Sequence, residues 1–293
     1  MPGDLISIVL LPLILAFIMF SLGLGLTLGD FRRILVQPKA LMVGVVCHFV
    51  LLPLVCFGML KLLGLSGAFA VGFMILAACP TGATSNLLTY LARGDVALAL
   101  GFTAVASLLT IFTLPFIVAG ALNHFMGAGR PVDVPVGLMM GQVALVMGLP
   151  VTLGMAARHR WTAWALRFEP RATRVATGLF VLIVVLAVIK NWPMVRAHFT
   201  SLAPLALVLN LSMLSLGFAV AWLARLSRPQ AITLGIETAV QNAALALVIA
   251  TSVLQDGNMA IPGALYGVLM YVGGLLFAWV MRRHVAAPEG VPT

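Results

Sequence analysis

"LAACPTGATSNLLTYLARGD", residues 76–95, sets Pro80 and Gly82 inside an apolar run long enough to cross a bilayer, with Thr81, Thr84, Ser85 and Asn86 around them. Proline has no N–H, and its ring clashes with the carbonyl four residues back, so a helix kinks or breaks there. Backbone groups freed at membrane depth persist only where protein or a water-filled cavity satisfies them. Interrupted helices of this kind bring carbonyl ends and helix N-termini to the bilayer midplane, where ions and anionic groups can use them. One proline kink is commonly tolerated without any ligand. The hydroxyls and amide gathered around this one point instead to a site.

Working outward, the chain is 62% hydrophobic and only 9% charged over 293 residues, more apolar surface than a soluble core and its polar coat require. Apolar stretches recur, each long enough for a hydrocarbon layer of roughly 30 Å. They show no ten-residue alternation of the barrel type. The fold class is therefore all-α and polytopic, with nine spans at about 5–28, 40–62, 67–91, 95–122, 135–157, 175–191, 202–225, 229–254 and 260–281. The links between them are too short for a second, soluble domain.

One set of links holds Arg32, Arg33, Lys39, Arg93, Arg158, Arg160, Arg167, Arg171, Arg174, Arg225, Arg228, Arg282 and Arg283; the opposite set holds Lys61, Arg130, Lys190 and Arg196. Thirteen against four places the first set, including a main loop at 158–174, on the cytoplasmic side. The N-terminus is then outside and the C-terminus inside. The net charge of +9 follows from this bias and does not call for nucleic acid. The first span, preceded by Asp4 and no basic residue, suits a membrane span better than a signal peptide. Cys47, Cys56 and Cys79 all lie in apolar stretches without CxxC spacing, which argues against a disulfide framework or zinc. No nucleophile elbow, Walker loop or HExxH motif is present, so an enzyme is not expected.

"GIETAVQNAA", residues 235–244, puts Glu237 in the middle of the eighth span, followed by Thr238, Gln241 and Asn242. A central acidic residue disfavours insertion by about 3 kcal/mol, and no Lys or Arg lies at comparable depth to pair with it. Glu237 is then either a protonated structural residue or a cation ligand or proton carrier. Ser85, Asn86, Thr103 and Gln241 supply the neutral oxygens that a hard monovalent cation needs. His48, in "VCHFVLLP", is the one histidine well inside a span. It is either a core residue bonded to a carbonyl or a group facing the same cavity. The third and eighth spans are the two polar-rich ones. Being five spans apart, they would run in inverted copies, spans 1–4 pairing with 6–9 and the fifth left over. The residues themselves do not show that the eighth span is broken.

"CPTGATSNLLTYLARGDVALALGFTAVASLL" (79–109) and "GIETAVQNAALALVIA" (235–250) resemble the two crossing-helix motifs of the bile acid:sodium symporter family. "VQPKALMVGVVCHFVLLP" (36–53) and "AIPGALYGV" (260–268) fit the same pattern, so the likeness covers nearly the whole chain. The resemblance implies two inverted repeats, about 5–122 and 135–281, whose discontinuous helices cross. Interruptions are expected near Pro80–Thr84 and Glu237–Val240. It implies one transporter unit over 1–293, with a core domain (about 40–122 and 202–281) and a panel domain (about 5–28 and 135–191). This chain would start at the family's second span and sit in a bacterial inner membrane, N-terminus outside.

By the same resemblance, one Na+ is held by Ser85, Asn86, Thr103 and Glu237. A second is held by a glutamine whose position is taken here by His48, with Glu237, the carbonyls of Thr238 and Val240, and Gln241. A family serine that ligates the first ion falls on Ala99, and a His-Asn pair near the substrate falls on Met270 and Tyr271. The substrate should meet Thr81, Gly82, Ala83, Thr84, Asn242, Met270 and Tyr271. The expected function is cation-coupled, principally Na+-coupled, uptake of a small organic anion: bile-acid-like, pantoate-like or keto-acid-like. The alternative is proton-coupled or uncoupled movement through a degenerate sodium site.

Overall fold

A computed structural model describes residues 9–30, 38–127 and 135–283. Asp4, Arg32, Arg33 and Arg130 lie outside the described residues. Those described are helical apart from short links: α1 (Leu11–Gly25), α2 (Pro38–Leu62), α3 (Gly67–Ala78), α4 (Ser85–Leu91), α5 (Val96–Met126), α6 (Val136–Arg160), α7 (Thr162–Lys190), α8 (Trp192–Leu223), α9 (Arg228–Ala239), α10 (Ala243–Val253) and α11 (Gly257–Arg283). Six of these, α2, α5, α6, α7, α8 and α11, are each long and apolar enough to cross a membrane. The other expected spans coincide with α1 and with the two interrupted pairs, α3/α4 and α9/α10.

Two helix boundaries differ from the sequence reading. The stretch 158–174 is not a loop: α6 runs to Arg160 and α7 begins at Thr162, with only Trp161 between them. Likewise α8 begins at Trp192, ten residues before the apolar run that marked its span. Hydropathy locates what lies in lipid, whereas Arg, Ala, Leu and Glu favour a helix whether or not lipid surrounds it. Pro170 and Pro204 sit inside these long helices. Elsewhere the chain absorbs proline with wide π-type turns, Cys47–Leu51 ahead of Pro53 and Ala144–Gly148 ahead of Pro150. Each turn spans the carbonyl that the proline ring cannot pair.

Helices α1, α6 and α7 pack on one another, while α3, α5, α8, α9 and α11 form a second group. At the α1/α6 crossing Gly23 and Gly154 meet backbone to backbone. A Cβ on Gly23 would overlap Val151, and one on Gly154 would overlap Phe20 and Gly23. Small residues let helix backbones approach in lipid, where dispersion rather than hydrophobic burial holds them.

Helix ends repeat a pattern. After α2, α4 and α8 the chain closes with the same pair of bonds, the second running back five residues: Leu65 N to Leu60 O, Gly94 N to Thr89 O, and Leu226 N to Ala221 O. Gly64, Arg93 and Arg225 carry the positive φ that this closure needs, and Gln255 carries one after α10.

The two interruptions meet. Residues 79–84 separate α3 from α4, and residues 240–242 separate α9 from α10. Pro80 forces the residue before it out of the helical region, and Cys79 is extended at φ −70°, ψ 154°. The strands of the two breaks pair antiparallel at Thr81 and Gln241, Gly82 N donating to Val240 O at 2.9 Å and Asn242 N to Pro80 O at 2.8 Å. This bridge satisfies backbone groups that lipid could not. Glycine at 82 is required by closeness, since a Cβ would sit 2.9 Å from Gln241 O.

Candidate functional site

The second break begins at Val240, the last residue of the expected interruption, and runs two residues beyond it. Glu237, Thr238 and Ala239 are the last turn of α9, and the extended residues are Val240–Asn242. Asn242 explains the restart, because its side-chain oxygen accepts the Leu245 N–H at 3.0 Å. An Asn just ahead of an apolar run is an N-cap signal, and it was present in the sequence. With the helix interrupted, Gln241 and Asn242 no longer share a face with Glu237 and Thr238.

Glu237 is completely buried. Its Oε2 accepts from Thr103 Oγ1 at 3.1 Å, and Thr103 Oγ1 in turn accepts from Thr81 Oγ1 at 3.0 Å. Thr81, expected at substrate, is buried, and its hydroxyl donates to Thr103 in the chain that ends on Glu237. The Ser85 hydroxyl is directed at the same carboxylate without completing a hydrogen bond. Among the described residues, seven buried side-chain oxygens have no hydrogen-bond partner: Glu237 Oε1, Ser85 Oγ, Asn86 Oδ1 and Gln241 Oε1, which belong to the two breaks and the helix ends beside them, and Thr89 Oγ1, Thr110 Oγ1 and Asn210 Oδ1. Such atoms are costly in a protein interior unless something else meets them. A carboxylate, a hydroxyl and two amide oxygens make a donor set suited to a hard cation. Ala99, buried on α5, offers no side-chain oxygen.

The carbonyls closing α9 are differently placed. His48 lies buried in the wide turn of α2, its Nδ1 3.1 Å from Glu237 O and its Nε2 2.9 Å from Cys79 O. One imidazole thus lies between the ends of both interrupted helices, its single N–H in the neutral ring donating to one of the two carbonyls. Gln241 Nε2 donates to Thr238 O at 2.7 Å, Asn210 Nδ2 and Tyr266 OH donate to Ala239 O at 3.0 and 2.6 Å, and Gly82 N holds Val240 O. The Thr238 hydroxyl bonds back to Leu234 O at 2.6 Å. Asn210 and Tyr266 escaped the sequence reading. Asn210 lies 25 residues before the 235–244 motif, and Tyr266 lies within the quoted stretch 260–268 without being assigned a role.

Beside the crossing is a cavity of about 370 Å³. Gly82, Ala83, Thr84, Asn242, Met270 and Tyr271 all line it, six of the seven residues expected at substrate. Thr84 Oγ1 and Tyr271 OH are 3.0 Å apart, and Asn242 Nδ2 reaches Met19 Sδ of α1 at 3.6 Å. Asn86 and Gln241 also reach the lining, so the cavity touches the oxygen cluster. The opposite wall is α1 and α7, including Glu169, Thr173 and Thr177. The sequence reading took Glu169 and Thr173 as loop, although the spacing of four that carries them into the span was legible as a helical face.

Residues 12–198 match the model of the Sodium Bile acid symporter family. The chain belongs to that family. It is 28% identical over 275 residues to the probable sodium/metabolite cotransporter BASS1, chloroplastic, of Arabidopsis thaliana, an alignment covering 94% of this chain and 67% of the relative. It is 26% identical over 278 residues to the uncharacterized sodium-dependent transporter YocS of Bacillus subtilis, covering 94% and 84%. It is 28% identical over 250 residues to the human ileal sodium/bile acid cotransporter, covering 83% and 70%. The chain spans about two thirds of the length of the plastid relatives, 67% in Arabidopsis and 64% in rice. These relatives are transporters, not enzymes.

Proposed function

We propose that this chain couples the entry of sodium to the uptake of a small organic anion by alternating access. The observation that carries the reading is Glu237, a buried carboxylate at the meeting of two interrupted helices, with oxygens of Ser85 and Asn86 that no donor among the described residues satisfies. Sodium at Ser85, Asn86, Thr103 and Glu237 balances the carboxylate's charge and brings residues 84–86 toward α9. The anion then meets Gly82, Ala83, Thr84, Asn242, Met270 and Tyr271, on the other side of the same break. Because cation and anion share these two short segments, ordering them for one favours the other, which is a coupling free energy between sites. The N-terminus of α10 adds partial positive charge near the anionic group. The relatives' names, with sodium/metabolite and sodium/bile acid cotransport, support this class of cargo.

One ion per cycle is the stoichiometry we propose. The carbonyls of Thr238 and Val240, with Gln241, would form the second site, yet each carbonyl already accepts from Gln241 or Gly82. His48 replaces an amide oxygen with a ring that prefers softer metals. Its two nitrogens face Glu237 O and Cys79 O, and the single N–H of the neutral ring donates to one of these carbonyls, so the ring fills the space between them where an ion would otherwise sit.

The architecture that goes with this reading is nine spans in two inverted repeats, spans 1–4 and 6–9. The antiparallel meeting of the breaks supports it, as do the positive-φ closures in matching order: Gly64 and Arg93 in the first half, Arg225 and Gln255 in the second. Helices α1, α6 and α7 are then the panel, and the remainder the core. The cavity lining includes Leu87 and Glu169, each close in sequence to a basic residue assigned to the cytoplasmic side, Arg93 and Arg167, and on this reading the arrangement is inward-facing in a bacterial inner membrane. A thermal-shift screen of the purified protein against bile acids, pantoate and keto acids, with and without sodium, tests the reading, because ligands stabilise only by binding the folded state. Stabilisation by an anion that requires sodium supports it. Equal stabilisation without sodium favours an uncoupled carrier.

A further inference from the structure

The cavity wall facing the crossing carries the lining's one charged residue among those described, and its charge has the sign that opposes an anion. Glu169, Thr173 and Thr177 are spaced four apart on α7 and share one face toward the cavity. No Lys or Arg among the described residues pairs with Glu169; its one hydrogen bond is from Thr173 Oγ1 to Oε1, at 3.2 Å. Ser21 of α1, only 3% exposed, lies with its Oγ 3.4 Å from Thr173 Oγ1. Thr173 has a single hydroxyl hydrogen, directed to the carboxylate, so Ser21 is the donor in that contact. The chain Ser21 to Thr173 to Glu169 thus runs from panel helix to panel helix and polarises its donors toward one carboxylate oxygen. The other oxygen accepts nothing from the described residues and is left for a ligand.

Resting on the transport reading above, we infer that this end of the cavity is a hydrogen-bond acceptor subsite built on Glu169. It selects organic acids that carry a donor, a hydroxyl or an ammonium, at the end remote from their carboxylate. A cavity of about 370 Å³ suits a small acid with its carboxylate at the crossing and its other end against α7. A purely aliphatic end would strip water from Glu169 and give nothing back. A second carboxylate would face a like charge with no basic residue among the described lining residues to offset it. A donor avoids both penalties. Polar pairing of this kind discriminates far more strongly than a change of one methylene does.

The test uses the full chain in detergent with sodium, and four acids of equal carbon number: δ-hydroxyvalerate, δ-aminovalerate, valerate and glutarate. Thermal shifts are measured in wild type, Glu169→Gln and Glu169→Leu. The expected result is half-maximal stabilisation by the hydroxy and amino acids at concentrations at least about tenfold below valerate, with no effect of glutarate. Glu169→Gln should keep the hydroxy acid within a few-fold, lose the preference for the amino acid and admit glutarate; Glu169→Leu should favour valerate. Donor-bearing acids no better than valerate, no stabilisation by any of the four, or the same ranking in all three proteins overturns the inference. Sodium alone is a separate arm, expected to stabilise wild type but not Glu237→Gln. Failure of the acids with that arm intact is failure of the Glu169 subsite alone, and loss of both is failure of the transport reading.

Discussion

Thr103 of α5 gives its hydroxyl hydrogen to the carboxylate of Glu237, 134 residues further along the chain, at 3.1 Å. The same oxygen takes a hydrogen from Thr81 in the first break. A single threonine therefore joins an unbroken helix to both interrupted ones.

Replacing Thr103 by valine keeps the shape and removes that junction. The Glu237 carboxylate loses a donor and Thr81 an acceptor, each loss on the order of 1 kcal/mol. Sodium should then stabilise the protein only at concentrations about tenfold higher. A sodium titration of melting temperature in Thr103→Val, and in Thr103→Ser as the variant that keeps the hydroxyl, measures this; recovery in the serine variant is expected.

His48→Gln should restore an amide oxygen where the imidazole stands, and with it a second ion. Uptake against sodium concentration is expected to have a Hill coefficient near one in wild type and above one in the variant. His48→Ala leaves buried carbonyls at Cys79 and Glu237 without their contact, and should lower stability by about 1–3 kcal/mol. Denaturant unfolding separates that loss from the change in ion number.

Asn242 caps α10 and lines the cavity, and two substitutions divide these roles. Aspartate also caps, so Asn242→Asp should melt within a few degrees of wild type while its charge repels an anionic substrate and uptake fails. Asn242→Ala removes the cap and should lose about 1 kcal/mol of stability. Equal uptake by Asn242→Asp and wild type would move this residue out of the substrate site.

Much of this arrangement was legible in the sequence, and the reasons differ residue by residue. Pro80 announces the first break because its chemistry forbids a continuous helix. Glu237 announces itself because a carboxylate in lipid needs a reason. The second break was harder, since nothing between Glu237 and Asn242 prevents a helix; only Asn242 as a cap marks the restart, and the residues before it unwind through pairing with a segment 160 residues away, Thr81 with Gln241. A sequence shows that Thr81 lies in a break but not that its hydroxyl turns toward Thr103. Charge near Arg167 and Arg171 marks the end of a span equally well whether the backbone stays helical or not, so the sequence alone does not distinguish loop from helix at Glu169. Asn210 carries no local pattern, and Tyr266, although inside the quoted stretch 260–268, shows its role only through the tertiary contact with Ala239 O.

Gly82→Ala tests the pairing of the breaks. The added methyl would lie 2.9 Å from Gln241 O, closer than contact allows, so the antiparallel bridge must shift. The expected outcome is a protein that inserts and folds around its remaining helices but shows no sodium-dependent rise in melting temperature.

Glu237→Gln keeps the side chain's size and its hydrogen bond from Thr103 but removes the charge that balances the cation. Sodium-driven uptake of a substrate found in the thermal-shift screen, measured in proteoliposomes for this variant beside wild type, is the most direct measurement. Insertion should be normal, uptake nearly abolished and the sodium-dependent thermal shift lost. Wild-type uptake by Glu237→Gln at saturating sodium would contradict the assignment of Glu237 as the residue that carries the coupling ion.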